Sequence, residues 1–108
     1  MIRNIPNKYT QELLLEELRH YPVRFDFFYL PIDYNNSCNV GYAFINFIHN
    51  KFILEFYQEF NGRKWNRFNS EKICSLAYAR IQGTSALRNH FRNSHVMQQK
   101  VTYISMEG

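Results

Sequence analysis

The chain has 108 residues, with 13 Lys and Arg against 9 Asp and Glu for a formal net charge of +4, and 18% of its side chains are aromatic. So many rings exclude a disordered polymer, and one packed domain of this size is stable without staples. Cys38 and Cys74 lack the paired spacing of a zinc site and make no disulfide framework, and no apolar run approaches the ~18–20 residues that span a bilayer.

Residues 1–5 (MIRNI) are short and β-prone and are closed by Pro6-Asn7, which predicts a first strand. Thr10 can cap a helix over roughly residues 11–20, with Gln11 and Glu12 at its positive end and Leu14, Leu15 and Leu18 on one face. Tyr21-Pro22 ends it. Residues 24–32 (RFDFFYLPI) form a second strand, Asp33 to Asn39 a polar loop, and residues 40–47 (VGYAFINF) a third strand. From about Asn50 a second helix carries Ile53, Phe56, Tyr57 and Phe60 in a helical stripe, stopped by Asn61-Gly62. A polar loop over 63–72, anchored by Trp65 and Phe68, leads to a fourth strand over 73–81 (ICSLAYARI). Gln82-Gly83 breaks that strand. Thr84 can cap a third helix with Leu87 and Phe91 on one face and Arg88, Arg92 and His95 on another.

The order βαββαβ predicts an α+β, ferredoxin-like sandwich: a four-stranded antiparallel sheet with two helices on one face, plus a C-terminal third helix. The core spans 1–83, a helical extension 84–98, and a tail without assignable structure 99–108. Charge is uneven along this plan. Residues 1–71 hold 8 basic and 8 acidic side chains, while the remainder holds Lys72, Arg80, Arg88, Arg92 and Lys100 against Glu107.

Alternation along the third strand turns Gly41, Ala43, Ile45 and Phe47 to the helices and Val40, Tyr42, Phe44 and Asn46 to the open face. Two large rings on an open face call for a flat, apolar-centred partner. Unstacked bases of single-stranded RNA are such partners, each worth ~1–3 kcal/mol on an aromatic ring. Small Ser75, Ala77 and Ala79, if they share that face, leave room for a base. The backbone would then run toward Arg80, Gln82, Arg88 and Arg92, while Tyr29 and Phe27 on the second strand extend the platform.

VGYAFINF resembles the octamer of RNA-recognition motifs, Lys/Arg-Gly-Phe/Tyr-Gly/Ala-Phe/Tyr-Val-x-Phe/Tyr, at positions two to six and eight, with Ile45 for Val. Met1 to Ile5 align with the companion hexamer, less its first position. The resemblance implies that Tyr42 and Phe44 are the stacking pair, with Arg3 and Asn46 beside them and Met1 where the hexamer usually carries a ring. Blocks IRNIPNKYT, LPID, CNVGYAFINF, FNGRKW, FNSEK and SLAYARIQG are similar to the C-terminal RNA-recognition motif of the Mei-two-like meiosis and development regulators, over about residues 1–97. That likeness implies a domain at the end of a longer protein.

Val40 replaces the usual octamer cation, which removes one charge-assisted phosphate contact. This favours a second class, a protein-interaction module of the same fold whose sheet is covered by the third helix. An acyl-phosphate hydrolase on this fold needs a Gly-rich cradle after the first strand, where Pro6-Asn7-Lys8 stands, and no nucleophile or paired-carboxylate constellation exists. No enzyme activity, cofactor or metal is expected, since His20, His49, His90 and His95 lack ligand spacing. The expected partner is single-stranded RNA with room for a protein partner, and no membrane. A monomer located in the nucleus or cytoplasm completes the expectation, with both cysteines as free thiols.

Overall fold

A computed structural model of the chain describes residues 1–19, 24–33, 35–92 and 102–103. The elements are β1 (Ile2–Arg3), α1 (Gln11–Leu18), β2 (Phe25–Tyr29), β3 (Ile32–Asp33), β4 (Cys38–Asn39), β5 (Tyr42–Phe47), α2 (Asn50–Phe60), β6 (Ser75–Leu76), α3 (Thr84–Arg92) and β7 (Thr102–Tyr103). Five strands make one antiparallel sheet in the order β6-β1-β5-β2-β7. The expected four-stranded sandwich is present, and β7 adds an edge strand within the stretch that had no assignment. β3 and β4 turn the expected polar loop into a small hairpin, in which Asp33 Oδ1 accepts from the Asn35 N–H (2.9 Å) and Asn36 Oδ1 from the Cys38 N–H (2.9 Å).

Thr10 caps α1 as its sequence requires, its hydroxyl accepting from the Leu13 N–H at 3.2 Å, and α1 buries Leu14, Leu15 and Leu18. The predicted end of that helix at residue 20 falls outside the described residues. In α2 the ring of His49 accepts from the Lys51 N–H (3.1 Å), and Phe56 and Phe60 are buried. Their rings stack at 4.6 Å between centroids, and Phe56 meets Phe47 of β5 at 5.1 Å. The α2 stripe is narrower than its spacing suggests. Tyr57 is 48% exposed because α2 meets the sheet through Phe56 and Phe60, leaving Tyr57 on the rim of a cleft. Gly62, at φ +81°, takes the left-handed position expected after this helix, and its N–H reaches the Cys74 carbonyl at 2.8 Å.

The main core lies between the sheet and α1 and α2, and joins Ile2, Phe25, Phe28 and Ala43 to the helical leucines and phenylalanines. The 63–72 loop is anchored as predicted. Trp65 is buried, donates Nε1–H to the Asn4 carbonyl (2.7 Å) and tilts against Tyr9 at 5.3 Å, while Phe68 meets Tyr9 edge-on at 5.4 Å. Tyr9 in turn donates its hydroxyl to the Glu17 carboxylate, and burial together with that bond raises its pKa. Both cysteines are free thiols, and burial pushes Cys74 up to about 12.

The fourth strand is much shorter than the predicted 73–81. Its partner β1 offers backbone only as far as Met1, whose carbonyl accepts from the Ala77 N–H at 3.0 Å, and the ladder stops there.

One buried amide ties the β4 turn to the first loop: Asn39 Nδ2 donates to the Pro6 (2.8 Å) and Tyr9 (2.9 Å) carbonyls, and Oδ1 accepts from the Gly41 N–H (2.7 Å). Asn39→Ala strands those backbone groups, and urea denaturation should show a loss of about 2–4 kcal/mol at unchanged m-value.

Candidate functional site

The side of the sheet opposite α1 and α2 is set by the pairing of β2 with β5. Phe25 pairs with Phe47, Phe27 with Asn46, Phe28 with Ile45 and Tyr29 with Phe44, and the register shifts between Phe25 and Phe27. That bulge lets Phe25 and Phe28 both enter the main core while Phe27 and Tyr29 share the other face with Phe44. The alternation read for β5 is confirmed: Ala43 is buried on the helix side with Ile45 and Phe47 against it.

On the open face Tyr42 is 40% exposed and Phe44 half-buried, their rings edge to face at 5.7 Å. Arg3 of β1 stands directly opposite Tyr42 in the ladder and is exposed. Met1 is half-buried beside them. Its amine donates to the Ala77 carbonyl at 2.7 Å, and burial lowers its pKa.

Phe27 and Tyr29 stand differently from the expectation. Both are on the right face, yet both are fully buried, because α3 crosses the sheet and lays Leu87 and Phe91 on them. Phe91 meets Tyr29 edge-on at 4.8 Å, Phe44 at 5.1 Å and Phe27 nearly parallel at 6.2 Å. They are therefore no open extension of the platform in this conformation. The division of α3 into an apolar face of Leu87 and Phe91 and an outward Arg88 follows the sequence pattern.

Asn46 also has a different task. Its Nδ2 donates to Asp26 Oδ1 (2.9 Å) and lies 2.9 Å from Thr84 Oγ1, whose hydroxyl donates to the same Asp26 oxygen at 2.6 Å. Thr84 is consequently the first residue of α3 and not its cap. The Gly83 carbonyl accepts the first helical bond, from Leu87 N–H at 3.0 Å, and the Thr84 hydroxyl is turned to the sheet.

Beside the rings opens a cleft of about 790 Å³, whose lining includes Met1, Phe44, Ala77, Tyr78, Ala79 and Gln82. The small alanines leave the space anticipated for a flat group. Gln82 is exposed and donates Nε2–H to the Ala79 carbonyl at 2.7 Å, Arg80 is exposed just before it, and the side chain of Arg92 lies outside what is described. Tyr78, 84% exposed, was not singled out from sequence. The signal was present in the alternation of SLAYARI, which puts Tyr78 opposite in phase to Ala77 and Ala79.

The site thus offers one open ring, one half-open ring, a neighbouring guanidinium and an alanine-floored cleft. Such a surface stacks planar groups and holds anions at its edge. Among the described residues no cluster of three His, Cys, Asp or Glu side chains could hold a metal ion, and no helix is long and apolar enough to cross a membrane.

Residues 1–92 match the family model for RNA recognition motif 2. The chain is 60% identical over 100 residues to Protein MEI2-like 2 of Oryza sativa subsp. japonica, and 59% identical to Protein MEI2-like 4 of Arabidopsis thaliana. These matches cover 92% of this chain but only 12% and 11% of those proteins, so the chain spans roughly a tenth of their length. A solved structure of the Rna15 RRM with bound RNA (GU) superposes with a TM-score of 0.65 at 17% identity, over 86% of this chain and 94% of that one.

The burial pattern separates two tyrosines by stability. Tyr29→Ala removes a fully buried ring and should cost about 3–5 kcal/mol in urea denaturation, whereas Tyr42→Ala should cost under about 1 kcal/mol.

Proposed function

Because the chain belongs to the RNA recognition motif 2 family, the form of the motif carried by the MEI2-like proteins, we propose that it binds single-stranded RNA on the open sheet face. One observation carries the reading: the exposed ring of Tyr42 stands against Phe44 with Arg3 opposite, next to a cleft floored by alanines. A base stacks on Tyr42 without needing a specific hydrogen-bond pattern, and a second enters the cleft beside Phe44. Arg3 and Arg80 lie at the rim, where phosphates pass, and Arg88 faces outward from α3. On the likeness to the MEI2-like proteins, the domain serves inside a larger regulator of meiosis and development.

A protein-interaction module is the second reading, and the burial of Phe27 and Tyr29 under α3 favours it. An NMR titration with short single-stranded RNAs separates the two. Shifts centred on Tyr42 and Arg3 support RNA binding, and spectra that stay unchanged up to millimolar RNA remove it.

Stacking and charge make distinct contributions to be measured. Tyr42→Ala should weaken RNA binding by ~1–3 kcal/mol while leaving the fold intact, and wild-type affinity in that variant would exclude the sheet face. Arg88→Ala should weaken all sequences alike and lower the slope of log K against log salt by ~0.7, the value for one phosphate on a single strand. An unchanged slope assigns Arg88 to solvent.

A further inference from the structure

Three aromatic rings of the open face, Phe27, Tyr29 and Phe44, converge on one ring from outside the sheet, that of Phe91. Phe91 is a flat, apolar group seated among the rings of a base-stacking surface, with its plane only 17° from that of Phe27. A pyrimidine is nearly the same size and would be held by the same contacts. We propose that Phe91 occupies the place of a nucleobase in the free protein, and that α3 is a strap which RNA displaces to reach a second base site on Phe27, Tyr29 and Phe44. This rests on the RNA-binding reading above and adds to it a site and its control.

The strap has a built fastening. Asp26, at the bulge of β2, accepts from Thr84 at the start of α3 and from Asn46 of β5, so a carboxylate, an amide and a hydroxyl join two strands to the helix. The carboxylate also lies at the positive end of α3, whose own first turn has no acidic residue. Beyond the helix the chain is tied again, because Thr102 and Tyr103 of β7 pair with Phe28 and Phe27 at the outer edge of β2. A segment that begins at Asn46 and comes back to β2 therefore crosses the rings between two attachments.

The fastening is weak enough to yield. α3 has nine residues, too few for a helix that persists without packing, and Leu87 and Phe91 are its buried side chains among those described. Elements held by so few apolar contacts open at free energies far below that of global unfolding. A base that takes the place of Phe91 regains most of the contacts which the ring gives up. Tyr42 remains 40% exposed with the strap closed, so it offers RNA a first foothold before the exchange.

The test measures affinity for hexaribonucleotides, oligo-U and a GU repeat, by fluorescence anisotropy in the wild type, Phe91→Ala and Thr84→Val. NMR spectra of each variant verify that β1, β2 and β5 stay folded. Release of the strap should raise affinity about tenfold in Phe91→Ala, the effect of removing a competitor that is bound about nine-tenths of the time. Thr84→Val, which takes away only the hydroxyl, should give a smaller rise and remains informative if Phe91→Ala unfolds. In the wild type, saturating RNA should shift the Phe27 and Tyr29 ring signals and speed amide exchange in α3. Binding by the variants alone, with none by the wild type, supports the strap as well. If the wild type binds RNA through Tyr42 while both folded variants bind equally or more weakly, the strap is overturned and the RNA reading stands. If wild type and variants all fail to bind, both are overturned.

Discussion

The open face depends on one extra residue in β2. An unbroken strand would send Phe25, Phe27 and Tyr29 to the same side, and the main core would lose the ring of Phe25. The register shift between Phe25 and Phe27 gives two aromatics, Phe25 and Phe28, to the helices and two, Phe27 and Tyr29, to the opposite face. It also places Asp26 where its carboxylate reaches Asn46 and Thr84. Core packing, the aromatic surface and the attachment of α3 all follow from this bulge, which adds local twist and re-aims side chains as such irregularities do.

Tyr42 and Phe44 were legible because β5 is regular, and a period of two assigns its faces without knowledge of its neighbours. The faces of β2 were not legible to that rule, since a bulge exists only in relation to a partner strand. Asp26 therefore passed as an ordinary charge in an aromatic strand, and Asn46 as a free amide. The cover over Phe27 and Tyr29 depends on where α3 lands. Leu87 and Phe91 announced an apolar face on that helix, but their spacing does not say which surface receives it. Asn39 was missed for a similar reason, because its three bonds reach back to Pro6 and Tyr9 across more than thirty residues of chain. The short fourth strand reflects the extent of β1 and not the β-propensity of ICSLAYARI. For β7 a signal did exist, as Val101, Thr102 and Tyr103 are all strand formers.

Charge and aromaticity divide along the same line. The sandwich through residue 71 is neutral, and the basic surplus begins at Lys72 and continues through Arg80 to Arg88 and Arg92 in the sequence of α3. A whole-chain value of +4 is small for a nucleic-acid binder, but its distribution sets the cations next to the cleft and on the helix that crosses the rings. Long-range attraction of a polyanion would then act on α3 before any base reaches the sheet.

That placement has a mechanical consequence on the strap reading. Arg88 is carried by the element that must move, so a phosphate bound there travels with α3, whereas Arg3 is fixed on β1 opposite Tyr42. The two cations consequently act at different stages. Arg3 holds the backbone beside the first stacked base, at a position unaffected by opening. Arg88 contributes only if the displaced helix keeps its contact, and the Asp26 carboxylate, once freed from Thr84, becomes an uncompensated negative charge near the newly exposed rings. A phosphate next to that carboxylate is repelled, while an exocyclic amino group of a base finds an acceptor there. The same residue that fastens the strap would thus orient a base edge toward β2 and turn the sugar–phosphate backbone away from it, toward the cationic side of the sheet.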